Sequence, residues 1–103
     1  MPIALQTREF KNWVLGLRDR RARVKIAQRV LRYEADGALG DVKSLGDRVS
    51  ELRIHFGPGY RLYFTMRGQE MIILLCGSDK SDQARMIARA KEMVRALDIE
   101  EGN

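Results

Sequence analysis

Apolar and polar residues alternate from Val49 to Met66 with a period of two, broken only by Gly57-Pro58-Gly59. Leu52, Ile54 and Phe56 lie on one side before the break, and Tyr60, Leu62, Phe64 and Met66 continue that side after it. Glu51, Arg53 and His55, then Arg61, Tyr63 and Thr65, form the other side. Strict alternation marks half-buried strands, so the pattern predicts a β-hairpin over 49–64 with one apolar face and one cationic, aromatic face. A three-residue turn over Gly57-Pro58-Gly59 would pair Phe56 with Tyr60, His55 with Arg61 and Arg53 with Tyr63. A one-residue slip would exchange the faces.

The pattern elsewhere packs around this hairpin. Ile3–Gln6 is a candidate short strand. Thr7 is an N-cap for a helix whose apolar stripe is Phe10, Trp13, Val14 and Leu17, ending near Arg18. Ala22, Ile26, Val30 and Tyr33 keep helical spacing from about Arg20 to Ala35, and Asp36-Gly37 stops that helix. Ala38 to Asp47 reads as a glycine-punctuated connection with Val42 and Leu45 as anchors and Lys43-Ser44-Leu45 as a candidate start of the sheet. Met71–Cys76 is an unbroken apolar run, as expected of a central strand buried on both faces. Gly77–Lys80 is expected to loop. Ser81 caps a last helix with Ala84, Ile87, Ala88, Val94 and Leu97 on its buried side, and a frayed acidic tail runs from Asp98 to Asn103. The predicted order is β-α-α-β-β-β-α, an α+β domain with a small antiparallel-rich sheet, a helical hairpin and a C-terminal helix packed on it.

At 103 residues the chain is one domain, 1–103. No apolar run approaches the ~20 residues of a membrane span. MPIALQTREF lacks the basic leader and apolar stretch of a signal peptide, so a cytoplasmic protein is expected. The lone Cys76 fits a reducing compartment, and one Cys with one His predicts no metal site and no cofactor. A net charge of +5 directs attention to acidic partners. The densest charge is over 18–32, where Arg20, Arg21, Arg23 and Lys25 are candidate contacts to an RNA backbone, or a patch that an acidic protein covers.

On the hairpin, Arg53 and Arg61 suit a phosphate because the guanidinium fork matches its oxygens. His55 is the side chain whose ordinary titration lies near neutrality, as a general base requires. Lys80 comes after the central strand and is a candidate proton donor or charge stabiliser. Tyr63 is a candidate for stacking on a base, whereas Tyr60 shares the apolar face and is expected in the core.

ELRIHFGPGYRLYF, the apolar strand and LLCGSDKSDQARMIARAKEM together resemble the RelE/ParE toxin superfamily, and more closely its HigB-like branch of addiction-module killer proteins. The similarity extends over nearly the whole chain, including TREFKNWVLGLRD. It implies a RelE-like fold and the toxin of a type II toxin–antitoxin system, neutralised by a cognate antitoxin of helix-turn-helix type. Many such toxins are metal-independent endoribonucleases that cut messenger RNA on the ribosome, and the resemblance carries that role to Arg53, Arg61 and Lys80. Several members hold a catalytic Tyr or His near the C-terminus, and here neither occurs after Tyr63. ParE members inhibit DNA gyrase instead, which is the alternative, together with a member that only binds its antitoxin.

Overall fold

A computed structural model describes the backbone of residues 1–101 and the side chains of 1–97. The fold is α+β: a five-stranded sheet of order β1-β5-β4-β3-β2 with helices on both faces. The elements are β1 (Ile3–Gln6), α1 (Arg8–Leu15), α2 (Arg20–Asp36), β2 (Val42–Gly46), β3 (Val49–Ile54), β4 (Tyr60–Arg67), β5 (Met71–Asp79) and α3 (Gln83–Glu101), with a 3-10 turn at Lys80–Asp82. Only the β1–β5 pair is parallel. Among the described residues no helix is long and apolar enough to cross a membrane.

Several local signals act as their chemistry dictates. Thr7 accepts the Phe10 amide at 3.0 Å and starts α1. Asp19 accepts the Arg21 amide at 2.9 Å and starts α2. Gly37 adopts φ +78° and closes α2 through Tyr33 O. The stripe Ala22, Ile26, Val30 and Tyr33 is buried as its spacing requires, and with Phe10 it covers the Leu52, Ile54, Tyr60, Leu62 and Phe64 face.

The candidate sheet start at Lys43-Ser44-Leu45 is a full strand, one more than the predicted order counted. Val42–Gly46 pairs antiparallel with β3 through a two-residue turn, Asp47-Arg48, whose φ values are both positive. That is the primed hairpin geometry, whose twist matches the strands, built here without the usual Asn-Gly pair. Val42 remains 38 % exposed at this sheet edge.

β5 continues through Gly77 and Ser78 to Asp79 where a loop was expected, and a bulge explains it. Tyr63 pairs with Cys76 but Phe64 with Leu74, leaving Leu75 extra. Thr7 holds the bulge, its amide bonding Leu74 O at 3.1 Å and its hydroxyl Leu75 O at 2.7 Å. The extra residue inverts the facing of the strand beyond it. Gly77 therefore turns under Trp13, and Ser78 turns to Tyr63.

α3 starts at Gln83 rather than at Ser81. Asp79 takes the Ser81 amide and hydroxyl at 2.8 and 2.6 Å and caps the 3-10 turn instead. Val94 is buried as expected, with Ile87 and Leu97 packed beside it, but Met86 and Ala90 complete the stripe and Ala84 and Ala88 are exposed. The helix persists to Glu101 across the start of the expected frayed tail; Gly102 and Asn103 lie outside the described residues.

Candidate functional site

The hairpin register differs from the expected one by two residues. Ile54 pairs with Tyr60, Arg53 with Arg61 and Glu51 with Tyr63. A two-residue shift keeps each side chain on its face, so the apolar set stays correct. It lengthens the loop to residues 55–59, because Phe56 N–H bonds Ile54 O at 2.9 Å and Gly59 N–H bonds Phe56 O at 3.0 Å. Gly57 and Gly59 take φ values of +56° and +81°, which few other residues adopt at low cost. His55 therefore leaves the strand and stands in the loop.

Tyr63 is not a stacking residue. α3 covers the far face of the sheet, and Tyr63 is fully buried among Val49, Leu75, Cys76, Met86, Ala90 and Val94. Its hydroxyl bonds Ser78 Oγ at 2.8 Å, and burial pushes its pKa up. Cys76 is a buried small hydrophobe whose thiol burial pushes up to about 12.

Arg53, His55, Arg61 and Lys80 do converge. Together with Ile54, Phe56 and the loop glycines they line a cleft of about 260 Å³. Gly59 is the floor under the cations: a Cβ there would meet Lys80 Cε at 3.0 Å and Arg61 Nη1 at 3.3 Å.

Two acidic partners that the alternation alone did not single out organise these groups. Glu51, 2 % exposed, faces the arginines rather than solvent. Its Oε2 accepts Arg61 Nε at 3.2 Å and lies 3.7 Å from Arg53 Nε. Gln83, with its amide oxygen toward the guanidinium, takes Arg61 Nε and Nη2 at 2.5 and 3.3 Å. Arg61 is thus fixed from two sides. Arg53 Nε is buried without a hydrogen-bond acceptor, leaving a donor in the cleft wall unsatisfied.

The second acid is Asp41, whose Oδ2 sits 2.6 Å from His55 Nε2. That hydrogen bond, ahead of the nearby arginine charges, holds the Asp41 carboxyl below the usual carboxylate range. An ionised Asp41 places a proton on Nε2, which leaves Nδ1 of a neutral imidazole as the free lone pair. Asp41 is positioned by Arg53 N–H, which bonds its carbonyl at 2.9 Å. Arg29 secures the same corner through Leu39 O at 2.7 Å and Arg53 O at 3.4 Å. Burial is the main reason its pKa is lowered, and Gly40 leaves it room. Arg29 is therefore a structural pin within the basic run. Asp41 was hidden because it lies outside the alternating stretch, fourteen positions from His55.

The α2 cations divide. Arg20, Arg21 and Lys25 share a shallow cleft with Val24, Gln28 and Phe56. Arg23 points elsewhere, its Nη1 donating to Leu17 O at the α1–α2 link. Phe56, expected in the core, is only half-buried, with Arg21 Cζ and Lys25 Nζ 5.6 and 5.7 Å from its ring centre. Among the described residues no three His, Cys, Asp or Glu side chains are grouped to hold a metal ion.

The molecule is thus a small α+β domain that carries a cationic cleft on a β-hairpin, with an Asp-bound histidine at its rim. No protein-family model matches the chain. Over 93 residues it is 41 % identical to a protein of Haemophilus influenzae named "Uncharacterized protein", with 90 % of this chain and 93 % of the relative covered. The chain belongs to the same family as that protein.

Proposed function

We propose that this protein is the toxin of a toxin–antitoxin pair, a metal-independent endoribonuclease that cuts messenger RNA on the ribosome in the cytoplasm. The observation that carries the reading is the convergence of Arg53, Arg61, Lys80 and the His55–Asp41 pair on one cleft. His55 Nδ1 takes the proton of a 2′-hydroxyl, whose oxygen attacks the adjoining phosphorus. Arg53 and Arg61 bind the phosphate as its charge grows. The bond to the 5′ oxygen breaks, and the Lys80 ammonium supplies the proton to that leaving group. The products carry a 2′,3′-cyclic phosphate and a 5′-hydroxyl. The cognate antitoxin, of helix-turn-helix type, is assigned to the cationic surface that this chemistry exposes.

A second reading is a non-enzymatic inhibitor of DNA gyrase, or a member that only binds its antitoxin. It draws on Leu5, Leu15 and Leu31, apolar side chains that are 47, 75 and 63 % exposed and fit a protein partner. Induction of the chain, with primer extension on transcripts and a supercoiling assay, separates these. Cuts at fixed codon positions that vanish with His55→Ala support the nuclease. Altered supercoiling without cuts favours gyrase, and neither effect favours the binding-only member.

A further inference from the structure

Phe56 stands where three depressions meet. It lines the 260 Å³ cleft with Arg61 and Lys80, a neighbouring one of about 420 Å³ with Lys25 and Arg32, and the shallow cleft with Arg20 and Arg21. Its backbone is fixed on both sides, by the bond to Ile54 O and the bond from Gly59 N–H. One part of the ring packs on the core and the rest stays open. The two cations over the ring, Arg21 and Lys25, sit on exposed side chains, and the partner that the Arg21 guanidinium would have to leave is the partly exposed Asp19, 3.4 Å from its Nε. A rigid, half-open aromatic ring within a run of cations has the composition of a single-strand platform, where the ring meets a base and the cations meet its phosphates.

We infer that Phe56 is a stacking platform for one unpaired RNA base beside the phosphate held by Arg53 and Arg61. Arg21 and Lys25 turn from the ring to the adjoining phosphates when the base arrives. This rests on the RNA reading above and narrows the substrate to a single strand at the cleft. Because every base has a π-face, the platform tolerates all four and favours those that stack most strongly.

The test uses the full chain and a short 2′-O-methylated single-stranded RNA, which has no free 2′-hydroxyl to attack. A matched strand with abasic central positions is the control, and 2-aminopurine at one central position reports stacking. Phe56→Leu keeps an apolar side chain at the turn, and Phe56→Tyr keeps the ring. Phe56→Leu is expected to weaken binding to the base-bearing strand by roughly 5- to 150-fold. It should also abolish the 2-aminopurine quench, leave abasic binding unchanged and melt at the parent temperature, while Phe56→Tyr behaves as the parent. Equal loss on both strands, or no loss on either, overturns the platform. A parent chain that quenches 2-aminopurine yet cuts no transcript keeps the platform and removes the cleavage reading. A parent chain that binds neither strand overturns the platform, and primer extension on transcripts then decides the cleavage reading separately.

Discussion

Arg53 and Arg61 face each other directly across β3 and β4. Like charges in that position repel, and the sheet accepts them because the buried Glu51 carboxylate sits against both guanidiniums. The arrangement holds two guanidinium cations at fixed spacing while leaving Arg53 Nε without an acceptor. Replacing Glu51 by Gln keeps the shape and removes the counter-charge. The arginine side chains are 31 and 12 % exposed, so water recovers part of the loss that a fully buried pair would suffer. Glu51→Gln should destabilise the fold by about 2 kcal/mol, a fall in melting temperature of roughly 8–16 °C. An unchanged urea midpoint would show that Glu51 is not the counter-charge on which the arginines depend.

Gly77 is required for space rather than for conformation. A Cβ there would overlap the Trp13 ring, which is itself held between Phe10 and Tyr60 at centroid distances of 5.9 and 6.2 Å. Those two contacts limit how far the half-buried ring can retreat. Gly77→Ala should cost about 2–3 kcal/mol through overpacking. Trp13→Leu in the same chain should recover a measurable part of it, so that the two substitutions are non-additive in urea unfolding. Strictly additive losses would mean that Trp13 and Gly77 do not meet.

How far this was legible in the sequence depends on which interactions are local. The caps at Thr7 and Gly37, the α2 stripe and the apolar hairpin face depend on neighbours within a turn or a pleat, and residue spacing encodes them. The grouping of Arg53, His55 and Arg61 was legible for the same reason, since one hairpin carries them, whereas Lys80, just past the end of β5, was tied to them by the family resemblance. The register was not, because a turn of three and a loop of five residues around Gly57-Pro58-Gly59 preserve the same facing. Tyr63 was misjudged because alternation tells which face a residue occupies, not whether a helix 20 residues later covers that face. Glu51 lies on the same side of the hairpin and is buried as well. The Leu75 bulge left no sign in a uniform apolar run, although it decides where Gly77 and Ser78 point.

The Asp41–His55 pair gives stability a dependence on acid. The hydrogen bond to His55 is the first cause of the lowered Asp41 pKa, and a carboxylate whose pKa falls on folding stabilises the fold when ionised. That contribution is fully present above the ordinary carboxylate range and is lost as the pH falls through the lowered value. Asp41→Asn keeps the side-chain shape and removes the charge. The gap in urea midpoint between parent and Asp41→Asn should be constant at neutral and mildly acidic pH and should close in strong acid. A gap that widens toward acid would reverse the sign and exclude this role for Asp41.

The cations of α2 should separate by function. Arg20, Arg21 and Lys25 line one surface with Phe56, whereas Arg23 donates to the Leu17 carbonyl and ties the α1–α2 link. Each phosphate contact on a single strand releases counterions, and its loss lowers the slope of log affinity against log salt by about 0.7. The double substitution Arg21→Glu, Lys25→Glu should therefore reduce the slope for single-stranded RNA by about 1.4, with little change in melting temperature. Arg23→Ala should leave the slope intact and instead cost about 1 kcal/mol of stability as the Leu17 carbonyl loses its donor. Titration of the three chains at several salt concentrations, with a thermal melt of each, decides it. A slope that falls with Arg23→Ala and holds in the double variant would move the RNA surface to the opposite side of α2.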